Sequence, residues 1–174
     1  MTKHISIAEV QMLYIKYDTP ANVIAHCKAV SYVGEIIADD LNHHGYHLDT
    51  ELVKMAGMAH DVMRKEEHHG EAIASVLKDM GYSEEADVIR NHMHYDFNDF
   101  DHLNETDIMC LADRVVKEDK YVGIDERVEY LINKPGKTPE RTKILLEKKE
   151  LSKEFIHKIE ESIGQSLDSL FGSR

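Results

Sequence analysis

An all-α fold, a single helical bundle, is what this chain predicts, and three observations carry the prediction. Apolar residues recur at separations of three and four along most of the sequence, the period of a helix with one buried face. Only three prolines and nine glycines are present, and most stand where a helix would start or stop. The length of 174 residues, with 42% hydrophobic and 31% charged, suits one globular domain whose core is large enough to fold alone.

Residues 4–17 carry Ile5, Val10, Leu13 and Tyr14, the stripe of a short amphipathic helix. Asp18-Thr19-Pro20 then supplies a capping residue with proline at the first helical position, so a second helix is expected from there to about Asn42. Val23, Val30, Val33, Ile37 and Leu41 form its buried face, and His26, three after Val23 and four before Val30, points inward with them. His43, His44 and His47 surround Gly45 in a turn and read as exposed loop residues.

Asp49 caps a third helix with Leu52, Met55, Ala56 and Ala59 on its apolar face, and this helix carries the adjacent pair His60-Asp61. The polar run from Arg64 to Glu67 reads as the helix ending in a loop. After His68 and His69, an amphipathic stretch over 72–80 ends at Gly81. Ser83 opens a further helix with Ala86, Ile89 and Met93 on one face and His92 three after Ile89. Residues 94–103 lack a clear period and read as a loop over one end of the bundle, their aspartates as solvated charge.

Asn104 caps a helix containing Ile108, Met109, Leu111, Ala112, Val115 and Val116, which places Asp113 on or beside an apolar face. A helix over 124–133, a loop at Lys134-Pro135-Gly136, a helix opened by Thr138-Pro139 and a last helix from about Ser152 to Ile163 complete the chain. Repeats, low-complexity tracts and linkers are absent from the sequence, so a second domain is not expected.

The formal net charge of −12 argues against a surface for nucleic-acid duplex, because phosphate neutralisation needs clustered Lys and Arg and the sequence shows no such cluster. Small anionic substrates remain compatible, since a metal or a single basic residue reverses the field locally. Cys27 and Cys110 sit inside helical apolar patterns and read as buried small hydrophobes in a reducing compartment. The opening MTKHISIAEV lacks the apolar run of a signal peptide, and no segment reaches the length of a membrane span. A cytoplasmic protein without a membrane partner is expected, and a homo-oligomer is compatible with the sequence.

Twelve histidines exceed what packing requires. His26, the pair His60-Asp61, His92 and Asp113 each project inward from a separate predicted helix or helix end. Each buried polar atom needs a partner. One shared divalent cation serves them together, because imidazole and carboxylate suit Zn, Fe, Mn or Co, and such ligands commonly converge in the core of a bundle.

In this order the residues resemble the HD superfamily of metal-dependent phosphohydrolases, an all-α fold named for its histidine-aspartate doublet. The family's sequence of a first His, then His-Asp, then a distant Asp is met by His26, His60, Asp61 and Asp113. Dinuclear members add two histidines between the doublet and the last aspartate. Those places fall on His69, in a stretch of the form HxxxxAxxLxxxGY, and on His92, in IRNH. His68 is the alternative to His69, since a helix start is read only to within a residue or two. His94 reads as a loop residue, with a ligand or a proton donor to the leaving group as alternatives.

The likeness covers the core motifs in 20–122, with 123–174 as a helical extension of the same 1–174 domain. It is nearest to small bacterial dinuclear members of the diadenosine tetraphosphate hydrolase-like kind, and also reaches domains associated with nucleotidyltransferase-like partners. Lysine often stands three places after the doublet's Asp, where this chain has Arg64, which keeps the charge and can grip phosphate through two parallel hydrogen bonds. The GYP motif of cyclic di-GMP phosphodiesterases is absent, because Gly81-Tyr82 is followed by Ser83.

The resemblance implies hydrolysis of a phosphate ester or anhydride, with a nucleotide as the favoured substrate, by hydroxide bound to two divalent transition metals drawn from Fe, Mn, Co, Ni or Zn. His26, His60, Asp61 and Asp113 would hold one ion. Asp61 would bridge to a second ion completed by His69 and His92, and Arg64, or less favourably Lys65, would steady a substrate phosphate. A non-catalytic metal- or nucleotide-binding regulatory module of the same fold, and a plain structural bundle, are the alternative readings.

Overall fold

A computed structural model describes residues 3–172. The helices are α1 (Ile7–Lys16), α2 (Ala21–His43), α3 (Thr50–Ala59), α4 (His69–Asp79), α5 (Ser83–Ile89), α6 (Glu105–Val115), α7 (Gly123–Ile132), α8 (Pro139–Ile163) and α9 (Leu167–Phe171). Single 3₁₀ turns occupy His92–His94 and Phe100–His102, and a minimal antiparallel hairpin pairs β1 (Val116–Lys117) with β2 (Lys120–Tyr121). The all-α expectation holds.

The centre is the long α2, against which α3 and α6 pack, with α5 closing the far side of α3. Val30, Ile37 and Leu41 of α2 are completely buried with Met55 and Ala56 of α3 and Ile108, Met109 and Leu111 of α6. The α2–α3 contact is unusually close. A Cβ on Gly57 would lie 2.8 Å from Ser31 Cα and 2.9 Å from Ser31 N, so only glycine lets the two backbones pass here. Ser31 returns a hydrogen bond from Oγ to the Lys54 carbonyl at 2.8 Å.

Helix ends follow the capping chemistry of the sequence in most places. Ser6 and Glu9 form a reciprocal capping box at α1, as Asn104 and Asp107 do at α6, and Asp49 caps α3. At α2 the expectation fails. Pro20 is the capping residue itself rather than the first helical one, because the Thr19 hydroxyl is committed to the Val62 carbonyl at 2.7 Å and Asp18 to Lys65. Helix α3 stops at Ala59, so the His60-Asp61 pair caps its end instead of lying within it. Helix α5 stops at Ile89, which leaves Met93 49% exposed rather than on a buried face. Val116 leaves α6 for the hairpin, and the two expected C-terminal helices are one continuous α8.

The segment between α5 and α6 is held by buried Asp107, whose carboxylate accepts from Tyr95 Oη, Asn98 N and Asn104 N. Phe97 from this segment stacks on Phe155 of α8 at a centroid distance of 4.3 Å. The C-terminal helices are thereby fastened over the same end of the bundle. His4 bridges Glu85, 1% exposed, and Asp49, with Nδ1 at 3.1 Å and Nε2 at 3.2 Å. Both ring nitrogens then donate, which requires the imidazolium. Burial acts first to lower the pKa of His4, and the two carboxylates outweigh it, so the pKa stands above its ordinary value.

Two outcomes are expected. Gly57→Ala forces α3 away from α2 and destabilises the protein by ~1–3 kcal/mol, read from denaturant unfolding. A raised histidine pKa contributes stability that is fully present below the unfolded pKa and is lost as pH rises through the folded one. His4→Gln therefore lowers the melting temperature more at about pH 5.5 than at about pH 8.5; an equal loss at both would remove the charged bridge.

Candidate metal centre

Five elements bring the site together. Helix α2 carries His26 one and a half turns from its start, the end of α3 carries His60 and Asp61, the first residue of α4 is His69, the 3₁₀ turn after α5 opens with His92, and α6 carries Asp113. His60 is inaccessible to solvent, and Asp61, His69 and His92 are buried. Helix α4 reaches this position because Gly70 lies flush against the turn before His92; a Cβ there would sit 2.9 Å from the Arg90 carbonyl oxygen and 3.1 Å from His92 Nδ1.

Three of the imidazoles are oriented by backbone carbonyls. Nδ1 of His60 donates to the Gly57 carbonyl at 2.8 Å, Nδ1 of His92 to the Ile89 carbonyl at 2.9 Å, and Nδ1 of His26 to the Glu118 carbonyl in the hairpin turn at 2.8 Å. Wherever such a ring is neutral, the proton held on Nδ1 leaves the Nε2 lone pair facing inward, as at His60, whose pKa burial lowers. His60 Nε2 lies 3.7 Å from Asp61 Oδ2 and 3.8 Å from Asp113 Oδ1. Asp61 Oδ1 lies 3.0 Å from His69 Nε2 and 3.5 Å from His92 Nε2. His26 Nε2 is 2.9 Å from Asp113 Oδ1.

Nitrogen and oxygen atoms of His26, His60 and Asp113 lie within 4.8 Å of one another, as do those of His60, Asp61 and His92. His69 adjoins the second set through Asp61. Three atoms at this focus, His60 Nε2, Asp61 Oδ1 and His92 Nε2, are buried without a hydrogen-bond partner. Lone pairs that face one another in a dry site need a proton or a cation between them. Nitrogen and carboxylate donors in these two groups fit a divalent metal.

Electrostatics keep the donors ready. Burial acts first to raise the Asp61 carboxyl, but His60, His69, His92 and Arg64 outweigh it and hold the group well below the usual carboxylate range. Asp113 is held down likewise, by the hydrogen bond from His26 and by His60 against burial. Burial pulls His60 below its ordinary value. His92 is raised, because Asp61 and Asp113 together outweigh its burial.

All six residues expected as ligands thus meet at one point. His68 does not join them; it is exposed at the start of α4, which favours His69. Arg64 reaches the rim, with Nη1 3.2 Å from His69 Nε2 and Nε 3.6 Å from Asp61 Oδ2. Lys65 turns away and pairs with Asp18 at 2.6 Å. His94 is exposed but lines the cavity that opens over the centre.

That cavity, about 540 Å³, is bounded by His26, Asp61, Arg64, His92 and Asp113 on one side and by residues of α7 and α8 on the other. The C-terminal helices therefore contribute to the site, as does the Glu118 carbonyl that orients His26. Neither was read from the sequence. The one available signal for the hairpin was the break in helical period at Val116, and charged residues on α7 and α8 are indistinguishable in sequence from a solvated face.

The pairing of His26 with Asp113 is measurable by itself. Burial alone lowers the pKa of His26; the Asp113 hydrogen bond and charge raise it above the ordinary 6.5. Asp113→Asn is expected to drop it below 6.5, read from a proton NMR titration of chelator-treated protein, and a pKa left in place would locate the effect elsewhere.

Comparison with known proteins agrees with this geometry. The HD domain family matches residues 23–118, more than half of the chain and the span from the turn before His26 to the carbonyl that orients it. An uncharacterized protein of Methanocaldococcus jannaschii is 37% identical over 71 residues, which are 39% of this chain and 42% of that protein, so less than half of the relative is spanned. No solved structure matches. From the match over α2 to α6 and the convergence of those helices on the His60-Asp61 doublet, this chain belongs to the HD domain family.

Proposed function

We propose that this protein is a metal-dependent phosphohydrolase that cleaves a phosphate ester or anhydride, with a nucleotide as the favoured substrate and two divalent cations as cofactors. One observation carries the reading: three buried lone-pair atoms, on His60, Asp61 and His92, converge without a proton to share. His26, His60, Asp113 and Asp61 are the ligands of one ion, and Asp61, His69 and His92 of the second. The finer likeness, to dinuclear members of the diadenosine tetraphosphate hydrolase-like kind, rests on those last two histidines. Bound cations of this type lower the pKa of a water and neutralise charge on phosphoryl oxygens.

The chain's own groups supply orientation. The Asp61 carboxylate, ionised and flanked by His60, His69 and His92, is suited to bridge two ligand sets. Arg64, with its side chain 45% exposed, stands where the buried centre meets the cavity and can hold a phosphate through two parallel hydrogen bonds. No side-chain nucleophile is needed. Cys27 and Cys110 are buried, and burial raises both thiols far above their ordinary values.

Metal analysis tests this reading. Protein purified without chelator and reconstituted with Mn is expected to carry two ions per chain, falling to one in His69→Ala combined with His92→Ala. Asp61→Asn is expected to cost turnover of an aryl phosphate or nucleotide about 100-fold or more. Full metal content with no turnover across mono-, di- and triphosphates would favour the non-catalytic module instead. No metal after reconstitution would overturn the site.

A further inference from the structure

The wall of the cavity facing the metal centre is strongly basic in a chain of net charge −12. Among the described residues, eight of the chain's 21 lysines and arginines line this cavity, against two of its 33 acidic residues, Asp61 and Asp113. Lys134, Lys137, Arg141, Lys148 and Lys149 come from one stretch of chain, and the fold sets them opposite the metal centre. We propose that α7 and α8, with Arg114, form a binding wall for a run of linked phosphates, so that the substrate is a polyphosphorylated small molecule rather than a monophosphate ester. This rests on the phosphohydrolase reading of the centre.

Absence of counter-charge is the first support. Arg114, Arg127, Lys134, Lys137, Arg141 and Lys148 line the cavity and make no ion pair among the described residues. Their neighbours do: Lys149 and Lys153 both pair with Asp125, Lys117 with Glu126 and Lys143 with Glu147. Lys149, itself a lining residue, is thus neutralised by Asp125, while no acidic residue of α7 or α8 lines the cavity. Arg127 adds a second support, since its Nε is buried without any acceptor. A guanidinium N–H removed from water needs one, and a phosphate oxygen supplies it.

The crowding is felt by the lysines. Lys137 is held below its ordinary pKa by burial and then by Arg141 and Lys134; Lys148 by burial and then by Arg114, with Asp96 opposing. Polyanion binding relieves that repulsion. Arg141 and Lys148 are seven residues apart on one face of α8, a rise of ~10.5 Å, whereas hydrogen bonds from a single phosphate reach ~3 Å. Several phosphates engage such a face better than one. The volume of about 540 Å³ fits a small molecule, not a nucleic-acid strand. Ile124, Val128, Leu131, Ile144 and Leu145 leave an apolar side for the organic part of the ligand.

Calorimetric titration of the metal-loaded protein tests the wall without turnover. The probes are adenosine monophosphate, its methylene-bridged triphosphate analogue, orthophosphate and methylenediphosphonate. The bridged triphosphate is expected to bind about 10-fold or more tightly than the monophosphate. That ratio falls about 10-fold in Arg141→Gln combined with Lys148→Gln, and survives in Arg141→Lys with Lys148→Arg and in Lys143→Gln, whose side chain points outward. Circular dichroism establishes that the double variant is folded. A diphosphonate preferred over orthophosphate supports a free polyphosphate ligand; preference confined to the nucleotides supports a nucleoside polyphosphate. No preference for phosphate number in the wild type, or one that survives the double glutamine variant, overturns the wall even where turnover is found. A preference lost in that variant upholds it even where no substrate turns over.

Discussion

Everything about this site depends on three Nδ1–H···O=C hydrogen bonds. Those of His60 and His92 end on carbonyls three residues earlier, Gly57 and Ile89, and that of His26 on Glu118 across the fold. Each removes the one proton a neutral imidazole could otherwise offer to the centre. Inward-facing Nε2 atoms then meet ionised Asp61 and Asp113, and at the focus His60 Nε2, Asp61 Oδ1 and His92 Nε2 are buried with no hydrogen-bond partner. A buried arrangement of that kind is unfavourable unless a cation joins it.

Helix termination is the structural means to this end. The final carbonyls of a helix have no intrahelical partner, so an imidazole placed just beyond the last turn finds an acceptor at hand. Helices α3 and α5 both stop one to three residues before a centre histidine, which explains why His60 lies at the end of its helix and why the face expected to include Met93 breaks at Ile89. Gly57 and Gly70 have matching roles in packing. The first lets α3 approach α2, and the second lets the start of α4 approach the His92 turn, so that residues from five segments share one small volume.

The doublet, His26, His92 and Asp113 were legible because the helical period assigns each a direction, and a polar residue on an apolar stripe stands out against it, whereas His69 came from the family resemblance alone. The family order pointed to His69 with His68 left as the alternative; the burial of His69 and the exposure of His68 favour the former. The hairpin, the continuity of α8 and the basic wall were not legible, for one physical reason. Each depends on which face of a surface element meets another element, and a charged residue at helical spacing looks the same whether it faces bulk water or a cavity. Lys65 shows the converse, since its sequence position beside Arg64 suggested phosphate while the fold directs it to Asp18.

Net charge describes the whole molecule, whereas a ligand experiences the field in one cavity. At an ionic strength of 0.15 M, screening acts over ~8 Å, so acidic residues on the outer surfaces contribute little to the potential between the centre and α8. The low-dielectric walls formed by Ile124, Val128 and Leu131 concentrate the field of the nearby cations instead. On the proposed reading, the acidic composition and the basic cavity would act together as a filter that favours a small phosphorylated molecule.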